Sequence, residues 1–340
     1  MILCAKKGGR LARYPARRSG TEMPPLLALL ALPLAAHALV TRWTCSASRA
    51  PLTPSAPLPA GLAFSQLVCN SSAIPLFGAA GPLNVSVVAV DLTRPTLRLV
   101  PLANASLAPL DAMAAALPAR RLWAGVNGGY FWRTDSTGFF DGVCLGKTRA
   151  EALLPPSLAA PNQGVGDGAV VAGGALLASS CDCLGYSRPA LLSINGSASR
   201  IDVQRRGAAP LFGTALDSLA AGPNLVSSNA SGPYLDIPAD DDNIGNILEH
   251  SANTAVGLLA NGTALLVTVD GYDGCSGLDA TCGANAYTLA YLMKDYFGAA
   301  SALGMDQGGS TTMFVRGAGV VTNPGQGVRA VFSALFVEEI

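Results

Sequence analysis

Half of the 340 residues are hydrophobic, only 13% are charged, and 22 basic residues balance 22 acidic ones. This composition supports a packed core and excludes a disordered polyelectrolyte. With neither a basic stripe nor aromatics interleaved among basic residues, it also excludes nucleic acid as a partner.

The chain opens on the basic stretch "MILCAKKGGRLARYPARRSG", then the apolar run "MPPLLALLALPLAAHALV", with small residues at its end. That order is the n-region, h-region and Ala36–Ala38 cleavage site of a secretory signal, with Met23 as an alternative start. An uncleaved signal anchor is the other reading and the one route to a membrane, although about 17 residues is short for a span. Without residues 1–38 the balance becomes 16 basic against 21 acidic residues.

Six Asn-x-Ser/Thr acceptors, at Asn70, Asn84, Asn104, Asn195, Asn229 and Asn261, also point to the secretory pathway, with a lumenal or extracellular destination. Cys69, Cys144, Cys181, Cys183, Cys275 and Cys282 form an even set suited to disulfides, with Cys275 to Cys282 the favoured pairing. Cys45 is left as the odd cysteine, inside a leader assigned to residues 1–47. The Pro/Ala/Ser-rich residues 48–61 read as a linker, and residues 62–340 as one domain.

Within that domain, Val- and Leu-rich runs bounded by Gly, Pro and Asn predict strands at 85–92, 96–102, 122–127, 190–194 and 255–259. The same pattern continues at 263–269, 313–316 and 331–337. Residues 111–120 predict a short helix. The clearer helix is 285–298, where Leu289, Leu292, Met293 and Tyr296 share a face, Asn285 caps the start and Gly298 suits the end. The fold class is therefore α+β: a single β-rich domain with a mixed twisted sheet, a few helices, and a strand–helix–strand crossover near the C-terminus.

That crossover carries the candidate site. Strand 263–269 ends in Asp270, and the short apolar "SALGM" (301–305) ends in Asp306. A crossover brings its two strands parallel, so both carboxylates belong at one strand-end edge, where open sheets bind ligands. Glycine-containing loops follow each, "DGYDGCSG" and "DQGGSTTM". Two acids beside glycine-lined space suit chemistry at an acetal carbon, and the loop amides of Gly308, Gly309 and Ser310 suit an anion. Two Asp-Gly turns at strand ends fit the same letters. In "GVNGGYFW" (125–132), Asn127 offers an amide to sugar hydroxyls, while Tyr130, Phe131 and Trp132 pack under the site or stack on a sugar face.

Taken in order, "NGGYF", "CLG", "AGPNLV", "TAVG…NGTALLVTVDG" and "DQGGSTTM" resemble the phosphodiester glycosidase family from about residue 83 onward. The resemblance implies a hydrolase cleaving a sugar-1-phosphate diester, of the N-acetylglucosamine-1-phosphodiester kind, with water attacking the anomeric carbon. It implies Asp306, then Asp270, as catalytic carboxylates. Asn127, Gly128, Gly129, Asn253, Gly308, Gly309, Ser310, Thr311 and Arg329 would bind substrate.

Two departures stand out. Gln307 replaces the first glycine of the family's Asp-Gly-Gly-Gly-Ser, and Asn253 stands where an arginine belongs, losing a bidentate cation for phosphate. Arg329, Arg133 or Arg316 could supply that charge instead. The same departures favour the other reading, a non-catalytic secreted glycoprotein that binds glycans on the same fold.

Other chemistries lack their residues. A Ser-His-Asp hydrolase needs a histidine with a G-x-S-x-G loop, and only His250 follows the leader. Neither a Walker A nor a Rossmann motif occurs, so no cofactor is expected. No metal is expected either: Cys181 and Cys183 lack a second ligand pair. "ADDDNIGN" (239–246) lacks EF-hand spacing and reads as a solvated loop.

Overall fold

The computed structural model describes residues 43–48, 51–74, 78–133, 164–166, 168–178, 190–203, 216–227, 233–236, 248–272, 282–325 and 327–340. The first sheet has eight strands. Their spatial order is β1 (Trp43–Ala47), β2 (Leu62–Ile74), β3 (Gly78–Asp91), β16 (Thr263–Val269), β15 (Asn253–Leu258), β17 (Ser301–Gly304), β13 (Asn224–Val226) and β14 (Pro233–Asp236). The second sheet runs β19 (Gly319–Val320), β18 (Met313–Val315), β5 (Arg121–Asn127), β20 (Val331–Glu339) and β4 (Leu97–Ala108). The third runs β11 (Arg200–Val203), β10 (Ala190–Ile194), β12 (Asp217–Ala221), β8 (Val170–Ala172) and β9 (Ala175–Ala178). A two-stranded ribbon joins β6 (Phe131–Arg133) to β7 (Gly164–Gly166).

Side-chain alternation with period two explains the layers. On one face of the first sheet, Val88, Val90, Val256, Leu266 and Leu303 meet Leu99, Val126, Val315 and Leu335 of the second, with Leu192 and Leu219 from the third. On the other face, Val85, Val267 and Val269 lie under helix α2 (Ala286–Tyr291) and the π-helical turn that continues it (Leu292–Tyr296). Leu289, Leu292 and Met293 fill that layer as their spacing predicts. Asn285 caps α2, its side chain accepting from Thr288 N, and Gly298 takes φ +70 just past the end. Helix α1 (Leu110–Ala115) covers the outer face of the second sheet with Leu110 and Met113. It stops short of the predicted residue 120, because Pro118 cannot continue it.

The α+β class holds, with three corrections. The paired strands described form antiparallel ladders rather than a mixed sheet, because β15 inserts between β16 and β17 and runs against both. Cys45 is not the odd cysteine: β1 pairs with β2, and Cys45 is disulfide-bonded to Cys69. The Pro-rich segment is held to the domain, with Ser55 N donating to Gly317 O and Leu58 packing on the core. Cys282 is also disulfide-bonded. Cys275, Cys144, Cys181, Cys183, "CLG", Asn229 and "ADDDNIGN" lie outside the described residues.

Candidate active site

Asp306 lies two residues past the end of β17 and is anchored by the NGG turn at the end of β5. Its N–H donates to Gly128 O (3.0 Å), and its carbonyl accepts from Asn127 Nδ2 (2.8 Å). Asn127 Nδ2 also donates to Gly128 O, while its Oδ1 accepts from Thr254 Oγ1 (2.7 Å) and Thr312 N (3.1 Å). An asparagine amide has two donors and two acceptor positions, and all four are used here. Asn127 is fully buried. The expectation that it meets sugar hydroxyls is therefore corrected: it locks Asp306, β15 and the following loop together.

The glycines of that turn are required by close approach. Gly128 N donates to Ser333 O (2.7 Å), and a Cβ on Gly129 would stand 2.7 Å from Ala220 O. These two residues are buried spacers that bring β5, β20 and β12 around Asp306, rather than substrate contacts. Phe131 joins the α1 layer of the core.

Beyond Asp306 the chain turns back on itself. Asp306 Oδ1 accepts from Gln307 N (2.9 Å), and Gly308–Ser310 form one 3-10 turn. Gln307 has φ −114, open to any residue, so its departure from glycine brings no strain, whereas Gly308 at φ +63 needs glycine. Two of the loop amides foreseen as anion donors are spent inside the fold, Gly308 N on Ala252 O and Ser310 N on Gln307 O. The hydroxyls are not. Ser310 Oγ and Thr311 Oγ1 are buried and lack a hydrogen-bond partner among the described residues. A buried donor left unmade costs about 1–3 kcal/mol; the described residues hold other such groups, among them Ser193 Oγ and Ser218 Oγ, but these two adjoin the glycine turn after Asp306.

Arg329 completes this end. Its backbone N–H donates to Gly309 O (3.1 Å), and a Cβ on Gly309 would stand 2.9 Å from its Nε. A Cβ on Gly308 would stand 3.6 Å from Arg329 Nη2, an ordinary contact, so the close approach needs glycine at Gly309 alone. Arg329 is exposed and makes no ion pair among the described residues. The other candidate cation is committed: Arg316 Nε donates to Leu122 O, and its guanidinium lies 5.4 Å over the Trp123 ring. The side chains of Arg133 and Trp132 lie outside the description.

Asp270 comes to the same strand-end edge as Asp306, since β16 and β17 run parallel, but β15 separates them. The ladder pairs Val269 with Asn253 and Gly304 with Ala255, so Asp270 and Asp306 are out of phase by one residue across β15. Their partners are also separate. Asp270 Oδ1 accepts from Asn323 N (2.9 Å), and the Asn84 side chain is its second partner. Burial pushes its carboxyl up to about 6, against the opposing pull of the Asn323 N–H and the Asn84 side chain. Asn253 is buried too, its Nδ2 donating to Ala284 O (2.6 Å) and Ser251 O (3.2 Å). Its amide is spent on tying β15 to the start of α2, which corrects its assignment as a substrate donor.

Sequence reasoning missed Thr254, Thr312 and Asn323. Asn323 had a signal, the turn-forming "TNPG", and Asn84 was read only as a glycosylation acceptor.

A family model described as phosphodiester glycosidase matches residues 122–338, well over half of the chain. The chain belongs to the phosphodiester glycosidase family. Among solved structures it is similar to the zebrafish N-acetylglucosamine-1-phosphodiester alpha-N-acetylglucosaminidase catalytic domain, auto-inhibited by its pro-peptide. There the TM-score is 0.57 at 17% identity, with 88% of each chain covered. It is also similar to a hypothetical protein from Synechocystis, with TM-score 0.56 and 15% identity. That match covers 82% of this chain but only 62% of the Synechocystis chain, less than two thirds of its length. No curated protein sequence gives a significant match. The phosphodiester glycosidase model spans Asn127, Asp270, the Gly308–Ser310 turn and Arg329, and a glycosidase-type function follows from membership.

Proposed function

We propose that this chain is a secreted hydrolase that cleaves the bond between the anomeric carbon of a sugar and a phosphodiester oxygen. The observation that carries this reading is the turn after Asp306, where Ser310 and Thr311 have buried hydroxyls without partners among the described residues and the exposed Arg329 lies against Gly309. Hydroxyls and a guanidinium suit phosphate oxygens; a carboxylate suits the carbon that becomes positive as the bond breaks.

The electron pair of the breaking C–O bond goes to the phosphate oxygen. The leaving group is a phosphomonoester, already a stable anion, so no side chain has to protonate it. This fits a site in which the acids of the described residues do not form a close pair. Water adds to the anomeric carbon and gives up its proton, with Asp306 stabilising the cationic carbon or receiving that proton. Ser310, Thr311 and Arg329 hold the phosphate. Two disulfide-bonded cysteine sites and the signal-like leader favour folding in the secretory pathway.

The commitment of Asn253 to Ala284 O favours the second reading, glycan binding without turnover. Incubating the purified protein with UDP-N-acetylglucosamine and other sugar-1-phosphate diesters separates the two. Release of free sugar is expected, and Arg329→Met is expected to raise KM about tenfold while changing kcat little. Saturable binding with no sugar released would support the second reading. The absence of both binding and turnover across the panel would reject the site.

A further inference from the structure

Asp270 sits at the site's edge, half-buried, and its carboxylate accepts from a loop. That loop, described over residues 321–325 and 327–330, lies between β19 and β20 and carries Arg329. Its first half is fastened to the end of β16 at several points. Thr322 Oγ1 shares a hydrogen bond with Thr268 Oγ1 (2.8 Å), Asn323 N donates to Asp270 Oδ1 (2.9 Å), and Gly271 N donates to Asn323 O (2.9 Å). Asn323 Oδ1 then accepts from Gly325 N, closing the turn. Glycines allow the contact on both sides: a Cβ on Gly271 would stand 2.7 Å from Pro324 O, and one on Gly325 2.7 Å from the Tyr272 backbone. Tyr272 Oη donates to Pro82 O, and Asp270 N donates to Asn84 O, so the clamp is founded on β3. In the loop's second half, Arg329 N donates to Gly309 O (3.1 Å).

The geometry points to Asp270 as a positioning residue, whose carboxylate clamps the 321–330 loop so that Arg329 lies over the Gly308–Ser310 turn and captures the substrate's phosphate. This rests on the reading of that turn as a phosphodiester site. It replaces the expectation of a second catalytic carboxylate, because Asp270 is directed at Asn323 and Asn84 and is separated from Asp306 by β15. What it supplies is a hydrogen-bond acceptor. Its carboxyl, pushed up to about 6 by burial, is a poor place to keep a working charge but a good acceptor in either protonation state.

An acceptor can be replaced by an amide, whereas a catalytic carboxylate cannot, and this separates the two roles. Hydrogen exchange of the ligand-free protein reads the clamp without any substrate. Asp270→Ala is expected to speed exchange across 321–330 about tenfold with the α2 layer unchanged, and Asp270→Asn to restore protection to within about threefold. With UDP-N-acetylglucosamine as substrate, Asp270→Ala is expected to raise KM about tenfold with kcat within about twofold, and Asp270→Asn to lie near wild type. Should the alanine variant not fold, Asp270→Ser, polar but too short to reach Asn323 N, takes its place. Unchanged exchange over 321–330 overturns the proposal, as does an Asp270→Asn variant whose kcat collapses with KM unaltered. Failure of the wild type to turn over any phosphodiester would reject the functional reading instead, and the exchange result would still decide the clamp.

Discussion

The second sheet has two ends, and they treat their charges in opposite ways. At the far end, Glu338 is buried between Arg98 and Arg120, with Arg120 Nε at 2.6 Å and Nη2 at 2.7 Å. Beside it, Glu339 accepts from Trp123 Nε1 (2.9 Å) and pairs with Arg121, and Arg316 lies on the Trp123 ring. Both guanidiniums hold the Glu338 carboxyl below its ordinary range, Arg120 most strongly. At the near end of the same strands, Arg329 has no ion pair among the described residues, and Ser310 and Thr311 keep unmade hydrogen bonds. Charges that find partners inside the chain hold strands in register. Polar groups kept without partners beside an uncommitted cation are the ones we propose for a ligand.

That contrast can be broken at either end. The largest effect is expected at Asp306. Asp306→Asn keeps the shape and the backbone bonds to Gly128 and Asn127, so Tm should hold, while kcat falls about a hundredfold or more with KM little changed. Next comes the far end, where Glu338→Ala leaves two guanidiniums without their carboxylate. It is expected to cost about 2 kcal/mol of stability in urea unfolding while leaving the kcat of the folded protein unaltered.

Asp270 makes stability depend on pH in a definite direction. Its carboxyl is raised from the ordinary 3.8 to about 6 in the folded protein, so folding binds the proton more tightly than the unfolded chain does. Its contribution is full below about 3.8 and is lost as the pH rises through about 6. Thermal unfolding across pH 4 to 7 should show this limb, and Asp270→Asn should flatten it. The smallest effect is expected at the orphan hydroxyls. Ser310→Ala removes a buried donor left unmade in the described fold, so stability should rise by about 1 kcal/mol. Substrate affinity should nonetheless fall severalfold.

How much of this was legible depends on how far each feature reaches along the chain. Val- and Leu-rich β10 and β16 match their predicted bounds residue for residue, because a buried strand writes a continuous apolar run. β2 is hidden in the sequence, since Ser65–Gln66 and Asn70–Ser72 break the apolar run of "LAFSQLVCNSSAI" into short pieces. β1 was taken for leader because its place in the fold is set by partners across β2 that no local pattern announces. The same division runs through the site. Asp306, Gly308, Gly309 and Ser310 are contiguous, and a carboxylate before a glycine pair stands out by itself. The work of Asn127 was hidden, because its partners Asp306 and Thr312 lie 179 and 185 residues away. Asp270 was visible as a strand-end acid, but its role depends on a loop 53 residues further on.

We propose that a phosphodiester binds at the end left unsatisfied. A crystal structure of the protein with a sugar-1-phosphate tests it most directly. Phosphate oxygens are expected within about 3.2 Å of Ser310 Oγ, Thr311 Oγ1 and the Arg329 guanidinium, with the sugar's anomeric carbon turned toward Asp306. A ligand bound elsewhere, with both hydroxyls still unpartnered, would contradict it.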